Sequence, residues 1–429
     1  MVNFLSFAQF FSSWYAIVVY LIVLLALIGL LIAFLMVGES KAPKIVQEPE
    51  PLQIVTETVE QTKTEAKKTN RRRFDGLCRI DEEKARYAGG EFNERIGLKE
   101  FCETFRDYAA GKLRLYYEIE DIRRFIAGMA VSHILILQGM SGTGKTSLAF
   151  AFGEFLGNTS TVIPVQPMWK ERTDLIGYYN EFTKRFNETD LLKKIYEANY
   201  SEQIYITVLD EMNIARVEYY FAEFLSLLEL PNAEERLLTV VSDEWKNDPK
   251  QLKDGHVRLP ENMWFIGTAN NDDSTFAISD KVYDRAMVLD LDKKAEAFSA
   301  ERPESVKITA KRFKELVKEA QEEYGLPARN RRRLRQLDDF MTEHFRVTFG
   351  NRIRYQIERY VPAYVACGGE ELNALDDILA KKVMRKLGMQ NPVYLRNNAE
   401  NLCRYMDELF GEENLSQCKE IVRRLGRSA

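Results

Sequence analysis

A glycine-rich stretch after a short apolar run constrains the fold of this chain more than any other feature. Residues 139–146 read GMSGTGKT and match the pattern G-x-x-x-x-G-K-[ST]. The run HILILQ before them is typical of a buried strand, and SLAFAFGEFLG after them is typical of a helix. This order predicts a loop whose backbone N–H groups surround a phosphate at the helix N-terminus.

The side chains of this loop have separate expected roles. Lys145 is expected to reach the β- and γ-phosphates of a nucleotide, and the Thr146 hydroxyl is expected to ligate Mg²⁺. Glycines let the backbone turn its N–H groups inward, so the other contacts are expected from the main chain. The predicted nucleotide-binding residues of the loop are Gly139, Met140, Ser141, Gly142, Thr143, Gly144, Lys145, Thr146 and Ser147.

An acidic pair ends a second apolar run, IYITVLDEMN. A strand there would deliver Asp210 to its carboxyl end, where α/β sheets place their ligands. Asp210 is predicted to hold Mg²⁺ together with Thr146, and Glu211 to orient and polarise the attacking water. An acidic helix cap is the alternative interpretation, and the phosphate-binding loop upstream favours the catalytic one.

Two further polar residues lie next to later apolar runs. Asn270 follows MWFIGT, where a neutral amide can position the water or bind the γ-phosphate. Arg285 precedes the last run and can serve a neighbouring subunit's γ-phosphate as an arginine finger, with Lys281 as a weaker candidate. The alternatives are a turn residue and an intramolecular ion pair. The predicted catalytic residues are Glu211, Lys145, Asn270 and Arg285.

Five short apolar runs separated by helical patterns predict an α/β fold with a parallel sheet and crossover helices. The predicted strands are 133–137, 161–165, 204–209, 263–268 and 286–291. Beyond about Lys293 only helical patterns follow, which predicts a smaller all-α lid domain. The predicted boundaries are 1–38 for an N-terminal anchor with its helix at about 15–37, 39–73 for a flexible charged linker, 74–293 for the nucleotide-binding domain with a helical lead-in, and 294–429 for the lid domain.

The N-terminal segment has no charged side chain before Glu39, and Ala16 to Val37 is almost wholly apolar. At about 1.5 Å per residue, this run is long enough for a transmembrane helix across a hydrocarbon core of roughly 30 Å. A cleaved signal peptide is the alternative, but a basic n-region and a small-x-small site are not evident. Basic residues follow the run and none precede it, which predicts a single-pass membrane protein with its nucleotide-binding domain in the cytoplasm.

Composition argues against several other classes of function. The net charge of −5 does not indicate direct nucleic-acid binding. Three dispersed histidines and five cysteines without C-x-x-C spacing predict neither a His/Cys metal site nor a disulfide framework. In the linker, Arg71–Arg73 is interpreted as a solvated charge run, with contact to anionic lipid as the alternative.

The loop, the Asp-Glu pair, the asparagine and the arginine, in this order, resemble the AAA+ family. The resemblance is to the branch with MoxR, dynein-like and McrB-type ATPases, and it spans roughly residues 98–387. The segments VQPMWKERTDLIGYYN and DEMNIARVEYYFAEFLSLLE look most like the McrB-type proteins.

The resemblance implies roles for individual residues. Asn270 takes the sensor-1 position and Arg285 the finger position, while Arg352 or Arg354 takes the sensor-2 position that closes the lid on the phosphates. McrB-type GTPases carry Met-Asn-Thr-Ala-Asp where this chain reads Ala-Asn-Asn-Asp-Asp at 269–273. This departure favours ATP over GTP.

The resemblance also implies an oligomer. We expect a ring of identical subunits, a hexamer, that hydrolyses ATP with Mg²⁺ at its interfaces and remodels or assembles a partner protein at a membrane. Two alternatives stay open, a nucleotide-gated scaffold or sensor with slow hydrolysis and a McrB-like GTPase component of a defence system. The client protein is not identified by the sequence.

Overall fold

The computed structural model describes Leu21 and residues 24–28, 72–84, 91–270 and 275–427. The chain divides into two units, Met1–Lys67 and Lys68–Ala429. In the first unit the described residues are helical and exposed, and the rest of the predicted anchor helix at 15–37 and nearly all of the linker at 39–73 lie outside the described residues. No helix within the described ranges combines the length and the apolar character needed to cross a membrane. The predicted transmembrane helix therefore has no support from the structure.

Among the described residues of the second unit, three helices precede the sheet. They are α1 Asp75–Lys84, α2 Leu98–Leu113 and α3 Ile119–Val131. On α2 the predicted stripe of Leu98, Phe101, Phe105 and Tyr108 is buried, as its helical spacing indicates.

A parallel sheet forms the central layer, with helices and short antiparallel additions between its strands. The elements are β1 Ile134–Gly139, α4 Lys145–Phe155, β2 Thr161–Pro164, α5 Thr173–Ile176, β3 Gly177–Asn180, β4 Arg185–Glu188, α6 Asp190–Ala198, β5 Tyr205–Asp210, α7 Val217–Tyr220, α8 Ala222–Leu227, β6 Leu237–Thr239, β7 Leu252–Lys253, β8 His256–Arg258, β9 Met263–Asn270, α9 Asp280–Tyr283 and β10 Met287–Asp290. The sheet has the order β10-β1-β9-β5-β2 with every pairing parallel. The five predicted strands and the α/β fold are confirmed.

An aromatic cluster holds α4, the helix after the glycine-rich loop, against the lead-in helix α2. The rings of Phe105 and Phe152 lie 5.1 Å apart in an edge-on arrangement, and those of Phe101 and Phe155 lie 5.2 Å apart. All four side chains are fully buried, and burial of one such side chain contributes about 1.5–3 kcal/mol. The start of α4 is therefore a rigid platform for the loop.

Two antiparallel additions lie outside the main sheet, the β3–β4 hairpin and the three strands β6-β8-β7. Arg73 binds the loop between β6 and β7: its guanidinium hydrogen-bonds Asp243 and Asp248 at 2.8 Å and stacks 4.6 Å from the Trp245 ring. Because Arg73 is only 2% exposed, the interpretation of the Arg71–Arg73 run as solvated or lipid-facing is wrong for this residue. Carboxylates about 170 positions away supply its counter-charge.

Helices alone follow β10 in the described chain, apart from a single bridge between Gln203 and Thr309. They are α10 Ala310–Glu323, α11 Ala328–Phe345, α12 Gly350–Ala366, α13 Glu371–Lys382, α14 Pro392–Phe410 and α15 Ser416–Arg427, with a 3-10 helix at Met384–Met389. The Arg359 guanidinium on α12 donates to the Ala130 carbonyl at the end of α3, at 3.1 Å. The predicted helical C-terminal region is confirmed, and it packs directly on the helix that precedes β1.

Candidate functional site

The glycine-rich loop has the backbone conformation that its sequence requires. Gly139, Gly142 and Gly144 all have positive φ, at 144°, 78° and 93°, a region that favours glycine. A Cβ on Gly139 would lie 2.4 Å from the Leu291 carbonyl oxygen, so the loop leaves β1 through a gap with no room for a side chain. A Cβ on Gly144 would lie 3.3 Å from the Tyr117 hydroxyl, which itself donates to the Gly144 carbonyl.

Lys145 is the first residue of α4, and its side chain folds over the loop. It is 7% exposed, and its ammonium donates to the carbonyl oxygens of Gly139 at 3.0 Å and Met140 at 2.7 Å. The helix N-terminus has no side-chain cap, which leaves its N–H groups and partial positive charge for an anion. The lysine and the helix N-terminus therefore present positive charge at one point.

Asp210 connects the loop helix with the neighbouring strands. Its Oδ1 accepts hydrogen bonds from the Thr146 hydroxyl at 2.7 Å and from the Thr268 hydroxyl at 2.8 Å. The backbone N–H of Glu211 donates to the same Thr268 oxygen at 2.8 Å. One hydroxyl on β9 thus positions both members of the predicted acidic pair.

The donor set fits a magnesium ion. Mg²⁺ binds oxygen ligands, and in nucleotide sites it uses one or two protein ligands together with phosphates and waters. Thr146 and Asp210 bring a hydroxyl and a carboxylate oxygen within 2.7 Å of each other beside the loop. The described residues hold no cluster of three His, Cys, Asp or Glu side chains suited to a metal, and a site completed by phosphates needs none.

Glu211 and Asn270 complete the carboxyl edge of the sheet. Glu211 adopts the left-handed conformation with φ 52°, and its side chain is exposed. Asn270 is the last residue of β9 and pairs in register with Gly139 on β1, while β5, which ends at Asp210, flanks β9 on the other side. Because neighbouring strands lie about 4.8 Å apart, the structure brings the predicted loop, Asp210, Glu211 and Asn270 together at one edge.

Arg285 lies at the opposite end of the sheet. Its carbonyl accepts from the Ser132 hydroxyl just before β1 at 2.8 Å. The six residues of β1 then lead to Gly139, a distance of about 20 Å at 3.3 Å per residue. This separation exceeds the length of an arginine side chain, so Arg285 does not reach the glycine-rich loop of its own chain.

Arg352 from α12 lies beside Arg285, and one carboxylate serves both. Glu229 is 2.8 Å from Arg285 Nε and 2.5 Å from Arg352 Nη2. The Arg285–Glu229 contact is close enough for an ion pair, but Arg285 Nε makes no hydrogen bond to the carboxylate. Arg354 lies elsewhere in the helical unit and donates to Asp338 at 2.6 Å. The structure thus separates the two sensor-2 candidates.

The arginine pair lines a basic cavity of about 810 Å³ at the amino ends of the strands. Its charged lining is Arg236, Arg285, Lys314, Arg352 and Arg359 against Glu229 and Glu261. Burial lowers the pKa of His133 in the same wall to about 4, and the charge of Arg236 acts in the same direction. Five cations against two carboxylates make this face suited to an anion.

Comparison with known proteins places the loop and the edge residues in one domain type. Residues 134–286 match the family model described as the AAA domain of the dynein-related subfamily. This segment is an AAA domain. The match confirms the predicted relationship to dynein-like AAA proteins for these residues, and an AAA domain is a nucleotide-binding P-loop NTPase fold.

Two solved structures are among those similar to this chain. A candidate ATPase from Cytophaga hutchinsonii is 14% identical with a TM-score of 0.44, covering 77% of this chain and 94% of that one. A full-length MCM homologue from Methanopyrus kandleri is 11% identical with a TM-score of 0.37, covering 66% of this chain and 58% of that one. The comparison with curated proteins gave no match.

Three contributors to the AAA domain were not predicted from the sequence. Thr268 lies two residues before Asn270, and a polar side chain inside an apolar strand was a usable signal. Tyr117 and Glu229 carry no such signal, because their partners lie 27 and more than 50 positions away.

Proposed function

We propose that this chain is a Mg²⁺-dependent ATP hydrolase whose site lies at the carboxyl edge of the AAA sheet. The observation that carries the proposal is the shared network in which Asp210 accepts from Thr146 and Thr268 while Thr268 also holds the Glu211 backbone. The network supports the proposal because it brings the Thr146 and Asp210 oxygens together beside the glycine-rich loop, with the exposed Glu211 next to them.

Each side chain at this edge has a distinct task. Lys145 and the N-terminus of α4 stabilise the charge on the phosphates, while Thr146 and Asp210 hold the metal ion. Mg²⁺, when bound, neutralises charge that develops on the phosphate oxygens. Glu211 orients and polarises the attacking water, and Asn270 holds it in line.

The arginine pair supports sharing of each site between two subunits. Arg285 lies about 20 Å along β1 from its own loop, so it can serve only the nucleotide of another subunit. Arg352 is held by the same carboxylate, and we assign it, rather than Arg354, to the same anionic target. A closed ring, with six subunits as the expected number, gives every nucleotide one such neighbour.

We infer from this arrangement that hydrolysis drives remodelling or assembly of a partner protein. In a shared site, each hydrolysis event changes a subunit interface, because the arginines lose their phosphate partner. The arginine face is the wall of the basic cavity that carries Arg285 and Arg352, and it lies at the amino ends of the strands. The proposed nucleotide site lies at the carboxyl edge. Assembly therefore brings the arginines of one subunit to the nucleotide of another and does not cover either site.

The experiment is phosphate release from ATP and GTP by the full chain over a range of protein concentrations. We expect turnover per subunit to rise with concentration, to favour ATP, and to vanish in Lys145→Ala and Glu211→Gln. Arg285→Ala and Arg352→Ala should lower turnover about 10³-fold, the low end for an arginine finger, with ATP binding retained. Arg354→Ala is the matched control.

Mixing two inactive variants separates a shared site from an internal one. An Arg285→Ala subunit keeps an intact loop, and a Glu211→Gln subunit keeps an intact arginine, so mixed rings should regain activity that neither variant has alone. Tight ATP binding without turnover in every sample would instead support a nucleotide-gated scaffold.

Membrane attachment remains a separate prediction from the sequence of residues 16–37. Flotation of the full chain with phospholipid vesicles, compared with the unit Lys68–Ala429, which keeps Arg73, tests it. Equal recovery of both proteins in the dense fraction would refute the anchor.

A further inference from the structure

The segment that carries Arg285 is held by a buried lysine from the C-terminal helical region. Lys382, the last residue of α13, is 1% exposed. Its ammonium donates to the Tyr283 carbonyl oxygen at 2.6 Å and also to the Ala286 carbonyl oxygen. These two acceptors flank Arg285 along the chain, so one side chain restrains the backbone on both sides of it.

Three more side chains from the same region contact the segment 280–286. The Gln356 side-chain amide on α12 donates to the Asp284 carbonyl at 3.0 Å, and the Lys386 ammonium is 3.0 Å from the Asp284 carboxylate. The Arg385 guanidinium pairs with Asp280 at 2.7 Å. Side chains from α12, from α13 and from the 3-10 helix after it therefore converge on one short stretch of the AAA domain.

An apolar side chain would fill the position of Lys382 at lower electrostatic cost. Burial lowers the pKa of Lys382 to about 7, against the opposing influence of Asp284. After burial, the charges of Arg385, Lys386 and Arg352 also contribute to that lowered pKa. A buried amine among cations is unfavourable unless its donors are used, and here they are used by the two carbonyls beside Arg285.

We propose that Lys382 is a positioning residue for Arg285 and couples the helical region to the arginine face. It holds the 283–286 backbone and so fixes where Arg285 leaves the chain, with the guanidinium beside Glu229 and donating to the Lys281 carbonyl at 2.9 Å. A shift of α13 then moves the arginine offered to the neighbouring nucleotide. The inference rests on the proposed function, in which Arg285 completes a neighbour's site.

The first test compares Lys382→Met with Lys381→Met in the full-length protein. Lys381 lies on the same helix, is also buried, and pairs with Asp377 of that helix at 2.7 Å. We expect Lys382→Met to lower kcat about 10- to 100-fold, the cost of a misplacement near 1 Å, with KM for ATP within about twofold. Lys381→Met should leave kcat close to wild type.

Mixed assemblies separate misplacement of the arginine from general damage. A Lys382→Met subunit keeps an intact loop, so Glu211→Gln subunits, which carry an undisturbed Arg285, should restore its turnover. The double variant Glu211→Gln/Lys382→Met should not. Restoration by both donors, or by neither, would overturn the inference.

Two outcomes distinguish failure of the inference from failure of the proposed function. If Arg285→Ala retains wild-type turnover, the proposed shared site is wrong. If Arg285→Ala is slow and Lys382→Met is not, only the inference is wrong. Should Lys382→Met fail to assemble, the double variant Arg385→Gln/Lys386→Gln takes its place, since these side chains are 29% and 24% exposed. A fall in kcat that mixed rings restore supports the inference, and an unchanged kcat overturns it.

Discussion

Replacement of Thr268 by valine removes one hydroxyl from the centre of the proposed site while keeping the shape of the side chain. That hydroxyl donates to Asp210 and accepts from the Glu211 N–H, both at 2.8 Å, in a side chain that is 2% exposed. A hydrogen bond to a charged group contributes about 1.5–3 kcal/mol, and a buried N–H left without an acceptor costs about 1–3 kcal/mol. Because Thr146 still donates to Asp210, we expect the free energy of unfolding to fall by about 2–4 kcal/mol.

The same substitution should slow hydrolysis more than it weakens nucleotide binding. Glu211 loses the contact that fixes its backbone, whereas the phosphate-binding loop is unchanged. About 1.4 kcal/mol of transition-state stabilisation corresponds to a tenfold change in rate, so a kcat lowered about 10- to 100-fold is expected. The KM for ATP should change by less than about threefold, since uniform binding is retained. Steady-state phosphate release and urea unfolding measure the two effects.

Thr207→Val is the matched control on the adjacent strand β5. Thr207 is 1% exposed, and its hydroxyl has no hydrogen-bond partner in the structure. Valine there removes an unsatisfied polar group, so stability should stay equal or rise, and turnover should stay at the wild-type level. Equal turnover and equal stability of Thr268→Val and Thr207→Val would refute the assigned role of the Thr268 hydroxyl.

Three further predictions concern other parts of the structure. Gly139→Ala places a Cβ 2.4 Å from the Leu291 carbonyl oxygen and should lower the unfolding free energy by about 1–3 kcal/mol and abolish ATP binding, measured by urea unfolding and calorimetric titration. Arg73→Met leaves the buried Asp248 without its counter-charge and should lower stability by about 3–5 kcal/mol in the same unfolding assay. Because the pKa of Lys382 is lowered to about 7, the unfolded chain binds more protons than the folded one from pH 7 up to its ordinary pKa, so stability should rise with pH there. The rise should be absent in Lys382→Met when unfolding is followed at pH 7 and pH 9.

The sequence alone predicted which residues meet at the proposed nucleotide edge of this protein. Each of these residues lies directly beside a strand or helix that can be predicted from the local sequence. The glycine-rich loop lies between a strand and a helix, and Asp210 and Asn270 end apolar runs. Parallel strands bring their carboxyl ends to one edge. Local sequence patterns, together with this rule of sheet geometry, were therefore enough to predict that these residues lie close together.

Only the tertiary structure decided the arrangement of the arginines. Arg352 and Arg354 are two positions apart and equivalent in sequence, yet the first lies with Arg285 on Glu229 and the second binds Asp338. Helical side chains two positions apart point in different directions, and each partner depends on how the helical region packs on the sheet. Ion pairs between groups far apart in the chain carry no periodic signal. Their partners are therefore determined by packing of the whole fold, which the sequence pattern does not specify.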